Sequence, residues 1–129
     1  MASRNKNIWP KFMKIAEKLM STGEPIRTIS RGSKNWVSEV TGEKIVVRSE
    51  RDQWGQPGGA FREILKDTAQ EAWDILRANG RMDMKSMEEQ FSNSSKIWRT
   101  GAVIRGLLAL LPNVRVEKID RSTTLVYSG

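Results

Sequence analysis

The chain has 129 residues, 38% apolar and 29% charged, which suits one domain with a single hydrophobic core and is too apolar for a disordered chain. It contains no cysteine and no histidine, which excludes a disulfide framework, histidine- or cysteine-ligated structural zinc, thiolate and histidine nucleophiles, and His-based triads. Lys plus Arg number 22 against 15 for Asp plus Glu, a formal charge of +7, and so basic a small domain points to a polyanionic partner, nucleic acid above all.

Ile8 to Met20 reads as a helix, because Trp9, Phe12, Met13, Ala16, Leu19 and Met20 recur at helical spacing between Lys11, Lys14 and Lys18. Pro10 suits its first turn and Gly23 its stop. Ile26 to Glu50 reads as a small three-stranded antiparallel sheet: a short strand at Ile26 to Ile29, then a hairpin of Asn35 to Val40 and Lys44 to Glu50 around Thr41, Gly42 and Glu43. Arg51 to Gly59, with three glycines and one proline, reads as a loop. Ala60 to Asn79 reads as a helix with a break near Asp67, its buried stripe formed by Ala69, Ala72, Trp73 and Leu76 and its end marked by Gly80. A short helix at Met84 to Gln90, capped by Asp83, precedes a polar turn at Ser92 to Ser95. A long helix, Ile97 to Leu111, ends at Pro112, and Val114 to Ile119 with Thr123 to Tyr127 form a terminal hairpin.

No apolar run approaches the roughly 18 to 20 residues of a membrane span. Residues 1–12 lack the continuous apolar core of a signal peptide, so the expected compartment is cytoplasmic.

The charge is uneven. Met1 to Lys66 carries 13 basic and 7 acidic residues, Asp67 to Gly129 only 9 and 8. Within the second half, acids gather between Asp67 and Glu89. None then occurs until Glu117, while Lys96, Arg99, Arg105 and Arg115 do. An acidic window beside an acid-free basic one implies two faces with different partners.

From Asp67 onward the order is helix, short helix, turn, long helix, hairpin, which is the order of a winged helix-turn-helix. In that arrangement the long helix enters the major groove and its N-terminal end supplies donors to base edges. Here that end offers Ser94, Ser95, Lys96, Arg99 and Thr100, with Arg105 further along, while Leu107 to Leu111 serve the core. The hairpin brings Arg115, Lys118 and Arg121 near phosphates, diluted by Glu117 and Asp120. Gly101 and Gly106 each cost the helix about 1 kcal/mol against Ala, which close packing of a neighbouring helix explains, as does close approach of a phosphate. In the first half, Arg27, Arg31 and Lys34 form an acid-free basic stretch suited to phosphate and equally suited to an ordinary hairpin connection. Trp54, in the glycine-rich loop, is placed to stack on an unpaired or flipped base, and is equally able to cover the sheet. Trp9, Trp73 and Trp98 fall on buried stripes, and Trp36 fits either environment.

No catalytic constellation is evident. Glu39, Glu43 and Lys44 lack a second acidic motif, as Mg²⁺ nuclease chemistry would need. No phosphate-binding loop with its lysine is present either. The expectation is therefore a non-enzyme with no cofactor and no metal site.

Ile26 to Gly32, Ile45 to Glu50, Ala72 to Gly80 and Gly106 to Pro112 together resemble an accessory winged-helix-like DNA-recognition domain of bacterial restriction endonucleases. The resemblance spans about Ile26 to Tyr127 through scattered apolar and turn positions. It implies a DNA reader, for modified bases among other targets, with cleavage carried by a separate nuclease domain or subunit.

The expected fold is α+β: an N-terminal helix, a small antiparallel sheet and a C-terminal winged helix-turn-helix sharing one core, with residues 1–66 and 67–129 as its two parts. The expected function is double-stranded DNA binding in a restriction, defence or regulatory setting. The rival is a small protein-interaction factor that blocks a nucleic-acid enzyme, using the acidic face as a second contact. RNA binding is a third reading. No heptad seam indicates an oligomeric state.

Overall fold

A computed structural model describes residues 7–29, 32–50, 59–90, 100–119 and 122–128. The first element is helix α1 (Trp9–Thr22), with Pro10 in its first turn and Trp9, Phe12 and Ala16 buried. Its start is fastened to the second half of the chain, because Ile8 N–H donates to Gln70 Oε1 at 3.0 Å.

Four strands follow in one antiparallel sheet of order β1-β2-β3-β4. They are β1 (Ile26–Arg27), β2 (Lys34–Val40), β3 (Lys44–Ser49) and β4 (Phe61–Leu65). The turn between β2 and β3 is built by Thr41, whose Oγ1 accepts the N–H groups of Glu43 and Lys44 and whose N–H donates to Lys44 O. A bulge after Val37 resets the β2–β3 register. β-branched residues meet across the ladders, Val37 beside Val47 and Ile45 beside Ile64. All four are buried against α1 and the later helices.

Strand β4 corrects the sequence reading, which placed 60–65 in a helix and gave the sheet three strands. Phe61, Ile64 and Leu65 do fit helical spacing. Pairing with β3 along its length, from Arg48↔Phe61 to Lys44↔Leu65, satisfies their backbone instead and buries Ile64. The helix begins only at α2 (Lys66–Asn79), whose buried stripe is Thr68, Ala69, Ala72, Trp73 and Leu76.

After α2 come β5 (Arg81–Met82), α3 (Met84–Gln90), α4 (Gly101–Leu108), β6 (Val114–Ile119) and β7 (Ser122–Tyr127). Strand β5, absent from the sequence reading, pairs with β7, giving a second antiparallel sheet of order β5-β7-β6. Trp73 of α2 meets Tyr127 of β7 edge-on, with ring centroids 5.3 Å apart. Helix α4 stops at Leu108, short of the expected Leu111. Leu110 and Leu111 continue it with tighter bonds, from their N–H groups to Leu107 O and Leu108 O. Leu110 is 49% exposed and so lies outside the core expected for it.

Buried residues of both halves form one cluster, from Phe12, Ile26, Ile45 and Ile64 to Leu76, Met87, Ile104, Leu107 and Leu125. Burying a large apolar side chain contributes roughly 1.5–3 kcal/mol, against about 1 kcal/mol net for a hydrogen bond. The shared core therefore outweighs the polar fastenings in joining the halves. The architecture is mixed α+β. Among the described residues no helix is long and apolar enough to cross a membrane.

Candidate nucleic-acid interface

Strand alternation gives the four-stranded sheet two unlike faces. Ile26, Asn35, Val37, Ile45, Val47 and Ile64 are buried on the inner face. The residues between them fall on the outer face. Arg27 stands opposite Lys34 in the β1–β2 pair, and Trp36, Arg48 and Phe61 form one row across β2, β3 and β4. Arg27, Arg48 and Phe61 are exposed, and Lys34 and Trp36 half-buried. The Arg48 guanidinium lies over the Trp36 ring, 5.5 Å from its centroid.

At the other end of this face the charges are matched. Lys44 Nζ and Glu63 Oε2 are 2.5 Å apart. That hydrogen bond, more than the bare charge of Glu63, pushes the Lys44 ammonium above its ordinary pKa. The cations at the Trp36 end of the face are Arg27, Lys34 and Arg48, with Glu50, which accepts the Lys34 N–H, as the neighbouring acid.

The structure brings Arg27 and Lys34 together, as an acid-free basic stretch suggested, and adds three residues that sequence reasoning did not assign: Trp36, Arg48 and Phe61. Their proximity depends on strand register. Residues 61–65 run apolar, polar, polar, apolar, apolar, so no alternation marked the strand in the sequence.

Two predicted contact residues are corrected. Thr100 is 8% exposed and Arg105 3%, so neither side chain is presented to a ligand. Arg105 lies in α4 between Ile104 and Gly106, and its Nη2 donates to Thr123 O of β7 at 2.8 Å. Burial pushes its pKa below the ordinary value, and the opposing attraction of Asp83 is the smaller effect. Its charge is spent inside the fold, fastening α4 to the second sheet.

The consequence is measurable in urea. Arg105→Ala removes the stem as well as the charge and is expected to cost about 2–4 kcal/mol. Arg105→Met keeps the stem, relieves the buried charge and is expected to cost at least about 1 kcal/mol less. Equal, negligible effects of both substitutions on the unfolding midpoint would contradict this role.

Arg115 is exposed as expected, but it pairs with Glu117 and its Nη1 donates to Ser128 Oγ at 2.8 Å. Its charge is thus compensated locally. Ser94, Ser95, Lys96, Arg99, Arg31, Trp54 and Arg121 lie outside the described residues. So does Trp98, whereas Trp9 and Trp73 are 3% exposed, in the core. Comparison of the chain with family models, with curated proteins and with solved structures found no match.

Proposed function

We propose that the chain is a double-stranded DNA-binding module in which residues 66–127 serve as a winged helix-turn-helix. The observation that carries this reading is the element order α2, β5, α3, α4, β6, β7 with strand order β5-β7-β6. There the short strand after the first helix pairs with the last strand of the hairpin, as a winged helix requires. The net charge of +7 supplies the attraction to phosphates.

Every residue of α4 from Gly101 to Leu108 except Ala102 is buried. In this proposal, base reading and phosphate clamping therefore fall to Ser94, Ser95, Lys96 and Arg99, just before α4. The β6–β7 hairpin, with exposed Lys118, adds contacts to the DNA backbone. The resemblance to accessory domains of restriction endonucleases extends the proposal to modified bases as a target and a separate nuclease domain or subunit as a partner.

The test is titration of labelled duplexes, unmodified and cytosine-modified, with wild type and with Lys96→Ala and Arg99→Ala. Each substitution is expected to weaken duplex binding about 10- to 100-fold while leaving the unfolding midpoint in place. Duplex affinity indifferent to both substitutions would refute the assignment.

A further inference from the structure

A second surface is independent of the winged-helix reading. The row Trp36–Arg48–Phe61 crosses three strands on the outer sheet face, and Phe61 is 67% exposed, the most exposed of the large apolar side chains described. A phenyl ring so exposed has little to contribute to the core. Cross-strand neighbours project to the same side, so the two rings are two strand spacings, about 10 Å, apart with a guanidinium between them.

We infer that this row is a stacking platform for single-stranded DNA. The Phe61 ring offers a flat π-face to an unpaired base, and the Arg48 guanidinium, held over the Trp36 ring, offers its own plane to the next base. Arg27 and Lys34 lie along the same face, beyond Trp36, and extend the positive track. Aromatic faces interleaved with cations are what binding of unpaired strands needs, because every base has a π-face and every linkage a charge. A protein partner of acidic character would use the cations but not the exposed Phe61 ring.

RNA is the less suitable strand. Its 2′-hydroxyl is read by a hydrogen-bonding group. Beside the row the Ser38 hydroxyl has its proton committed to Val46 O at 3.2 Å and is left as an acceptor only. Duplex DNA presents no base faces along its length, so this surface and the proposed duplex site take different ligands.

The experiment measures binding of fluorescent oligo-dT and oligo-U of about 12 nucleotides, a length within known single-strand site sizes. A duplex is titrated in parallel. The proteins are full-length wild type, Phe61→Ala and Phe61→Tyr. Wild type is expected to bind oligo-dT more tightly than oligo-U. Phe61→Ala is expected to weaken oligo-dT binding about 5- to 100-fold, with Phe61→Tyr restoring it and duplex affinity unmoved in both. Oligo-dT binding indifferent to Phe61→Ala, or tighter binding of oligo-U, would overturn the proposal. Wild type that binds oligo-dT but no duplex would refute the duplex reading and uphold this one. Wild type that binds duplex but no oligo-dT would overturn this one alone.

Discussion

Replacing Gly59 with Ala is expected to lower folding stability by about 2–4 kcal/mol. Gly59 has φ +73°, in the left-handed region, and a Cβ built there would lie 1.6 Å from Ser49 O. The backbone conformation alone costs a non-glycine residue roughly 1–2 kcal/mol. The overlap with a carbonyl cannot be relieved by turning a side chain.

The strand must instead draw away, and the hydrogen bonds that start β4 are then at risk. These are Ser49 N–H to Ala60 O at 3.0 Å and Ala60 N–H to Ser49 Oγ at 3.1 Å. Each is worth about 1 kcal/mol net. Gly59→Ala is thus expected to displace Phe61 as well, lowering both the urea midpoint and oligo-dT affinity. A midpoint equal to wild type would show that Gly59 does not make this close approach.

Gly106→Ala is expected to cost about 2 kcal/mol, and here the sign carries the information. In a helix interior Ala is favoured over Gly by about 1 kcal/mol, so a freely exposed site would be stabilised. Gly106 is buried in α4, and a Cβ there would stand 2.6 Å from Arg27 O and 3.0 Å from Ile26 Cγ2. Overpacking against backbone costs up to about 3 kcal/mol, which exceeds the helical gain. The glycine allows α4 to lie directly on β1, and this contact joins the C-terminal elements to the first sheet. The unfolding midpoint decides the matter. A loss supports the close contact, whereas a gain would place α4 away from β1.

Much of this architecture was legible in the sequence, because local periodicity and local stops agree with the tertiary packing. Helix α1 runs from its proline to Gly23 as its spacing indicates, and the β2–β3 and β6–β7 hairpins fall where alternation places them. The one-core arrangement was also within reach, as was close packing at Gly106, though its neighbour is strand β1 and not the expected helix.

What was lost depended on distant partners. Phe61, Ile64 and Leu65 satisfy the helical pattern and not the alternating one, and only pairing with β3 overrides it. Strand β5 is two residues long and has no periodicity to read. Arg105 looked available because no acid surrounds it in sequence, yet the groups it answers to, Thr123 O and Asp83, come from other elements. The aromatic–guanidinium row is a product of register alone, since its members come from three strands.

The central claim, recognition of duplex DNA by the C-terminal elements, is tested most directly by the salt dependence of duplex binding. Affinity of the intact protein for a labelled duplex is measured across a salt series, for wild type and Arg99→Ala. If Lys96, Arg99 and the hairpin cations displace counterions, the logarithm of affinity falls linearly with the logarithm of salt, with a slope of about −0.9 for each phosphate contacted. Arg99→Ala then binds more weakly, and its slope is shallower by about one contact if Arg99 meets phosphate, or unchanged if it reads a base edge. Weak binding that is flat with salt and indifferent to Arg99 would contradict the account.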